Sequence, residues 1–153
     1  MTKLKIPTKE DYKNFDGRSC FRIWQMLDED WRCPGCGRTK FKIMRWTKIV
    51  DLKHRGPDKR YIMGWSANLH RHHDHWQCEY ADFGQGRFPE TIVCCDCNSA
   101  DASAKRKLNL PRSFSFSPYE ISQFVIAVPH GKHKINYEKA LQIFESSYFG
   151  NNT

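Results

Sequence analysis

Two Cys-x-x-Cys pairs constrain the fold of this chain more than any other feature of its sequence. Cys33 and Cys36 flank a Pro-Gly turn, and Cys94 and Cys97 form the second pair much further along the chain. A structural Zn²⁺ takes four ligands in a tetrahedron, and a two-residue gap lets both thiolates of a pair face one ion. The four cysteines therefore predict one zinc site that ties two distant segments together.

The other cysteines leave alternatives open. Cys95 offers a different register for the second pair, and Cys20 and Cys78 are interpreted as ordinary thiols, with Cys78 as a spare ligand. The total of seven is odd, and disulfides are rare in reducing compartments, so metal ligation explains the paired spacing better than bridges do.

The sequence contains no apolar run of the about 20 residues that a membrane span needs. The first ten residues also lack the apolar stretch of a secretory signal. We therefore expect an intracellular protein, of the cytoplasm or nucleoid, that makes no contact with membranes.

The size and composition of the chain favour one compact α+β domain over residues 1–153. Of the 153 residues, 39% are hydrophobic and 27% charged, which is enough apolar material for one core. We expect N-terminal helices in residues 1–32, a zinc knuckle, a basic hairpin and the functional core in 33–110, and a helical segment in 111–153.

A basic β-hairpin is predicted between Gly37 and Trp65. Residues 41–52 are rich in β-branched and aromatic side chains, and Gly56-Pro57-Asp58 turns the chain back into a second strand near residues 61–65. This stretch has nine basic and two acidic residues, and so carries seven of the eight net positive charges of the protein.

A basic β-ribbon can enter a major groove or lie along phosphates, so the hairpin predicts a DNA contact. The alternative is a lysine-rich strand edge that only prevents aggregation. Trp46 and Trp65 are interpreted as core residues. The predicted DNA contacts are Lys40, Lys42, Arg45, Lys48, Lys53, Arg55, Lys59 and Arg60 on the hairpin, with Lys105 and Lys107 on a later helix.

Four histidines lie in the segment His70-Arg71-His72-His73-Asp74-His75, and a strand predicted over residues 66–73 runs into this segment. Alternation along a strand places His70 and His72 on one face and His73 and His75 on the other. So many imidazoles repel one another when protonated, which makes a purely structural role costly. A polar or metal-binding surface tract is the simpler alternative.

A second set of polar residues opens the helix predicted over residues 98–107, which follows a short strand at 91–94. Asn98, Asp101 and Lys105 recur at helical spacing and share one face. Amide and carboxylate oxygens suit a hard cation such as Mg²⁺, although Asn98 alone is also a common helix cap.

The C-terminal part is predicted to be helical. Ser117-Pro118-Tyr119-Glu120 is a capping box that opens a helix ended by Pro129. A last helix begins at Asn136, and its predicted buried face consists of Tyr137, Leu141, Phe144 and Tyr148.

Taken in order, the first cysteine pair, the histidine run and the Cys-x-x-Cys-Asn-x-x-Asp segment resemble the HNH or His-Me finger nucleases, most closely the recombination endonuclease VII family. The resemblance implies a ββα-metal core stapled by zinc, one catalytic Mg²⁺ or Mn²⁺, and cleavage of DNA phosphodiesters. By position it implies His73 as general base, His72 and Asn98 as metal ligands, Asp101 as a further acidic group at the metal, and His70 and His75 as residues that position or neutralise the scissile phosphate.

His72 stands where that family usually has an aspartate. Because an imidazole is a softer ligand than a carboxylate, we expect the site to accept Mn²⁺, Co²⁺ or Ni²⁺ readily. A second register remains open, in which Asp74 is the ligand and His75 the base.

The leading hypothesis is thus a DNA endonuclease that cuts duplex DNA at a defined site or acts on branched DNA. Cleavage of two strands generally requires two active sites, so a homodimer through the terminal helices is expected. The competing hypothesis is a non-catalytic zinc-finger DNA-binding protein, and RNA cleavage is a third.

Overall fold

The computed structural model describes residues 3–74 and 86–149, with no side-chain detail for the last two of these. Predictions that fall on His75, Cys78 and the side chain of Tyr148 lie outside the described residues. The protein is a mixed α+β structure whose described strands form three separate two-stranded antiparallel sheets.

Short helices form the N-terminal part, as the sequence predicts. Helix α1 (Lys9–Asn14) begins at a capping box formed by Thr8 and Asp11. A 3₁₀ turn at Arg18–Cys20 leads into helix α2 (Phe21–Met26), which buries Trp24.

The prediction of a strand from residue 41 is wrong for the first residues of that segment. Residues 40–43 instead form a short helix, α3 (Lys40–Ile43), which begins where the Thr39 hydroxyl accepts a hydrogen bond from the backbone N–H of Lys42. Lys40 and Ile43 are both buried, and this three-residue spacing puts both on one side of a helix, whereas a strand would separate them.

The hairpin itself is confirmed. Strands β1 (Arg45–Val50) and β2 (Tyr61–Ser66) pair in a register that places Trp46 opposite Trp65. The two indole rings meet edge to face at 5.0 Å, and the ammonium of Lys5 lies 3.4 Å from the centre of the Trp46 ring. Both tryptophans are half-buried at the base of the hairpin, and only Trp65 packs against the main core.

The central part of the fold consists of two strands and the helix that follows them. Strand β3 (Leu69–His72) pairs with β4 (Thr91–Cys94), with Leu69 opposite Cys94 and His72 opposite Thr91. Helix α4 (Cys95–Lys107) follows directly and begins three residues before the predicted start. The second cysteine pair therefore lies at the junction of strand and helix.

The C-terminal part packs against this unit. Helix α5 (Pro118–Phe124) begins at the predicted capping box but ends at Phe124, before the predicted end at Pro129. Strands β5 (Val125–Ile126) and β6 (Lys134–Ile135) follow it and form a small hairpin.

Helix α6 (Tyr137–Phe149) completes the fold. Its buried face is formed by Ala140, Ile143 and Phe144, while Leu141, predicted to be buried, is 36% exposed. The predicted face of this helix is thus corrected at Leu141.

One hydrophobic core joins the segments. Phe116, Ile121 and Phe124 from the C-terminal part meet Val93 of β4 and Met44 in its interior, and all are fully buried. Phe114, Phe116 and Phe124 pack edge to face at about 5 Å, a geometry that aromatic rings favour. The packing of this core places residues 114–116 against β3, the strand that carries His70 and His72. No helix within the described ranges is both long and apolar enough to cross a bilayer.

Candidate functional site

Four cysteine sulfurs converge at the start of helix α4. The Sγ atoms of Cys33, Cys36, Cys94 and Cys97 all lie within 4.8 Å of one another, with 3.7 Å between Cys33 and Cys97 and 3.8 Å between Cys36 and Cys94. Zinc–sulfur bonds of about 2.3 Å in a tetrahedron separate the sulfurs by about 3.8 Å. The cluster therefore has the geometry to hold a structural metal ion such as Zn²⁺, and Cys97 rather than Cys95 is its fourth member.

A tight turn presents the first cysteine pair. The N–H of Gly37 donates to the carbonyl of Cys33 at 2.7 Å, and Gly37 has a φ of 75°, a conformation that glycine adopts without strain. A Cβ atom at Gly35 would lie 2.7 Å from the sulfur of Cys97, so the turn can approach the second pair only with glycine at this position.

Two cationic side chains surround the sulfurs. The guanidinium of Arg38, almost fully buried, donates to the sulfurs of Cys36 and Cys94, each at 3.3 Å. Nε2 of His133 lies 3.4 Å from the sulfur of Cys97. Burial disfavours the charged imidazolium, but hydrogen bonds to the cysteine thiolates outweigh burial and raise the pKa of His133 to about 9. A Cys₄ zinc site carries a net charge of −2, which these two groups can compensate.

Neither group is recognisable from the sequence. Arg38 lies two residues after the first pair, where it looks like one more charge of the basic hairpin, and nothing in the local sequence of His133 connects it with the cysteines.

An ion-pair network links the cysteine cluster to the hairpin. The two carboxylate oxygens of Asp96 accept from Arg38 at 2.8 Å and from Arg45 at 2.7 Å. Arg45, predicted to contact DNA, thus has its guanidinium bound to a buried carboxylate.

The predicted metal ligands His72 and Asn98 face each other. Nδ1 of His72, at the end of β3, lies 3.4 Å from Oδ1 of Asn98 in the first turn of α4. On the other side of the ring, Nε2 lies 2.6 Å from the carbonyl oxygen of Phe116. Two ligands at about 2.1 Å from one ion, at angles between octahedral and tetrahedral, are separated by about 3.0–3.4 Å. His72 and Asn98 therefore fit two positions in the coordination of a divalent cation.

His70 lies on the same face of β3. It pairs with Val93 two residues before His72, as alternation along the strand requires. Its imidazole is half-buried, and burial together with the nearby His72 lowers its pKa. A neutral imidazole beside His72 can accept or donate one hydrogen bond to a bound group.

His73, the predicted base, lies just beyond the end of β3. It is half-buried, and its Nδ1 lies 3.1 Å from the carbonyl oxygen of Arg71. If Nδ1 donates to that carbonyl, Nε2 carries the lone pair that can accept a proton. His75, the base of the alternative register, lies outside the described residues.

Asp74 is fully buried directly after these histidines. Its Oδ2 accepts from the backbone N–H of Arg87 at 2.9 Å, whereas Oδ1 has no hydrogen-bond partner among the described residues. Gly86 lies so close that a Cβ atom there would be 2.6 Å from the Cβ of Asp74. A buried carboxylate oxygen without a partner is costly, and a cation or a water molecule would relieve that cost.

Asp101, predicted to lie at the metal, has both oxygens occupied. Oδ1 accepts from the backbone N–H of Phe116 at 2.8 Å, and Oδ2 pairs with Lys105 at 3.3 Å. In the part of the chain that the structure describes, the cysteine cluster is the one group of three or more His, Cys, Asp or Glu ligand atoms that converge. The predicted position of Asp101 at the metal is therefore corrected: its carboxylate binds the backbone of Phe116, the residue whose carbonyl contacts His72.

An open groove of about 430 Å³ begins at Asn98 and runs along the exposed side of α4. Lys105, Arg106 and Arg112 contribute cationic side chains to its walls. A groove with this charge, beginning at a candidate metal ligand, suits a phosphate backbone.

The predicted DNA contacts divide into accessible and inaccessible side chains. Lys40 is buried, so its predicted contact with DNA is corrected: its ammonium donates to the carbonyls of Trp24 and Leu27. Lys107 is exposed on α4, with its ammonium 5.7 Å from the ring of Tyr137. The exposed predicted contacts of the hairpin region are Lys42, Lys48, Lys53, Arg55, Lys59 and Arg60.

Comparisons of the chain with protein family models, with curated proteins and with solved structures find no match.

Proposed function

We propose that this protein is a divalent-metal-dependent endonuclease that hydrolyses phosphodiester bonds of DNA. The observation that carries the proposal is the 3.4 Å distance between Nδ1 of His72 and Oδ1 of Asn98. His72 lies at the end of β3 and Asn98 in the first turn of α4, the helix whose start also carries part of the cysteine cluster. The groove at Asn98 and the basic hairpin supply surfaces for the negatively charged substrate.

In the proposed mechanism, His72 and Asn98 would hold a Mg²⁺ or Mn²⁺ ion, which would supply positive charge to compensate the negative charge that develops on the phosphate and the leaving 3′ oxygen. His73 accepts the proton of the attacking water as the general base. His70, on the same face as His72, hydrogen-bonds a phosphate oxygen.

The second register remains a specific competitor within the same proposal. In that register Asp74 joins the metal ligands and His75 is the base. Oδ1 of Asp74, which has no hydrogen-bond partner among the described residues, favours it, since a bound cation would satisfy that oxygen.

Plasmid cleavage tests the proposal and separates the registers. The purified zinc-loaded protein should nick plasmid DNA with Mg²⁺ or Mn²⁺, and EDTA should stop the reaction. Asn98→Ala should lower the rate at least about 100-fold, because a metal ligand is lost, while DNA binding without added Mg²⁺ or Mn²⁺ stays the same. Loss of cutting in His73→Ala supports His73 as base, and loss in His75→Ala alone supports the second register.

Cleavage that survives in both histidine variants and in Asn98→Ala would refute the proposed site. Binding of DNA without any metal-dependent cleavage would instead support the non-catalytic zinc-dependent alternative. A matching RNA substrate, cut faster than DNA, would reassign the substrate class.

The substrate is duplex DNA at a defined site or branched DNA, and the protein acts as a homodimer. End sequencing of fragments from a long random substrate distinguishes the two substrates, because a sequence reader produces clustered ends. Light scattering after size-exclusion chromatography, with and without DNA, tests the dimer.

A further inference from the structure

We propose that Asp101 is a positioning residue: through the backbone of Phe116 it holds His72 in the tautomer that is protonated at Nε2 and presents the Nδ1 lone pair towards Asn98. The inference rests on the proposed role of His72 as a metal ligand, and it gives Asp101 a role in metal binding that involves no contact with the metal.

The first step concerns the proton on His72. A backbone carbonyl only accepts hydrogen bonds, so the 2.6 Å contact with the carbonyl of Phe116 places the proton of the neutral ring on Nε2. Nδ1 then carries a lone pair and faces the amide oxygen of Asn98 at 3.4 Å. Two acceptors that face each other in this way are complementary to a cation between them.

The second step concerns the carbonyl that fixes this proton. Phe116 is fully buried, and its own N–H donates to Oδ1 of Asp101 at 2.8 Å. The backbone of Phe116 is thus held at its N–H by Asp101 and at its carbonyl by His72. Asp101 lies one helical turn after Asn98 on α4, so one rigid helix positions both the amide and the anchor of the histidine.

The third step concerns the carboxylate and the imidazole themselves. Oδ2 of Asp101 pairs with Lys105, whose ammonium also donates to the hydroxyl of Ser115 at 3.1 Å, so the carboxylate is held in one orientation. The ring of His72 stacks on Phe88 at 5.2 Å with 15° between the planes. The ring is therefore restrained at its face as well as at Nε2.

Ligand histidines commonly donate their second N–H to a carbonyl or a carboxylate, and loss of that partner weakens metal binding by about 10–100-fold. Here the carboxylate of Asp101 acts indirectly, because the backbone of Phe116 lies between it and the imidazole of His72.

The test uses the full, zinc-loaded chain and three variants. Asp101→Ala removes the acceptor for the N–H of Phe116. Asp101→Asn removes the negative charge but keeps an oxygen acceptor. Lys105→Met is the control that removes the ion pair and the hydrogen bond to Ser115 but leaves the carboxylate of Asp101 in place. The readouts are calorimetric titration with Mn²⁺ alone and the ¹⁵N NMR signals of the His72 ring in protein without Mn²⁺.

We expect wild-type His72 to be protonated at Nε2 only. Asp101→Ala should mix the two tautomers and weaken Mn²⁺ binding about 10–100-fold. Asp101→Asn and Lys105→Met should keep the tautomer and bind Mn²⁺ within about threefold of wild type, because the acceptor for Phe116 remains.

Three results would overturn the inference. If Asp101→Asn binds Mn²⁺ as weakly as Asp101→Ala, the carboxylate itself holds the ion. If Asp101→Ala leaves the tautomer and the affinity unchanged, Asp101 does not position His72. If wild-type His72 carries its proton on Nδ1, the proposed tautomer is wrong. This measurement uses the wild-type protein, so it does not depend on whether any variant folds.

The inference and the proposed function can fail separately. The tautomer and Mn²⁺ binding are measured without DNA, so a locked His72 that binds Mn²⁺ in a protein that never cuts DNA supports the inference and refutes the nuclease.

Discussion

At the scale of single residues, the ammonium of Lys40 holds the end of helix α2. It donates to the carbonyls of Trp24 and Leu27 at 3.0 and 3.1 Å and lies 4.5 Å from the centre of the Trp24 ring. Carbonyls in the last turn of a helix have no partners within it, and a cation at this end is also favoured by the helix dipole. Lys40 thus satisfies groups that would otherwise be buried without partners.

Lys40→Met should lower the free energy of unfolding by about 2–3 kcal/mol, because both carbonyls lose their donor while the side-chain volume is kept. Urea denaturation of the zinc-loaded protein measures this loss. Lys42→Met is the matched control, since Lys42 is exposed on the same short helix, and it should stay within about 0.5 kcal/mol of wild type. Equal stability of the two variants would show that the ammonium contributes nothing.

Residues whose role depends on local spacing could be predicted from the sequence, and those whose role depends on tertiary contacts could not. The spacing of each cysteine pair already implies a shared ion, and alternation along a strand puts His70 and His72 on one face. Phe116 and His133 reach their partners only because the chain folds back, so no local pattern marks them.

At the scale of elements, the hairpin β1–β2 is set by its turn and by the paired tryptophans at its base. Six exposed basic residues remain in this region after Lys40 and Arg45 are removed from the predicted set. Each phosphate contact releases about one counterion, so such a surface should make DNA binding depend on salt.

Replacement of Lys48, Lys53 and Lys59 by glutamine should lower the slope of log affinity against log salt concentration by up to about three, because three phosphate contacts are lost. Fluorescence anisotropy of the zinc-loaded protein with duplex DNA, without added Mg²⁺ or Mn²⁺, measures the slope. The same change at Lys132, Lys134 and Lys139, which are exposed in the C-terminal part, keeps the net charge equal to that of the triple variant. Equal slopes for the two triple variants would refute a contact through the hairpin.

Sequence patterns misjudge elements where tertiary contacts decide between two alternatives. The alternation of residues 40–43 fits a strand, but a single hydrogen bond to the hydroxyl of Thr39 and the burial of Lys40 favour a helical turn. In α6 the apolar residues offer two overlapping faces, and contact with the core selects the one that contains Ala140 and Ile143 rather than Leu141.

At the scale of the whole molecule, the cysteine cluster joins segments that no strand pairing connects. The turn that carries Cys33 and Cys36 and the start of α4 meet at the sulfurs and at the Arg38–Asp96 ion pair, and Arg38 extends the connection to the carbonyls of Val128 and Gly131 at 2.9 and 3.0 Å. Because thiolates without a metal ion repel one another in the interior, loss of the ion should loosen three parts of the fold together.

Cys97→Ser should lower the zinc content from one ion per chain towards none and cost at least about 3 kcal/mol, which corresponds to a fall of about 6–12 °C in Tm. Metal analysis and calorimetry of the purified proteins measure the two quantities. Cys95→Ser is the matched control, because its thiol lies outside the cluster on the same turn of helix, and it should keep both zinc and Tm. Zinc retention in Cys97→Ser with loss in Cys95→Ser would reverse the register of the second pair.

The wide separation of the two cysteine pairs along the chain also has a consequence for biosynthesis. The ribosome releases Cys33 and Cys36 long before Cys94 and Cys97, and His133 emerges later still. A nascent chain therefore exposes the first thiol pair without its two partner cysteines, and the four-sulfur cluster can form only after residues 94–97 have left the ribosome.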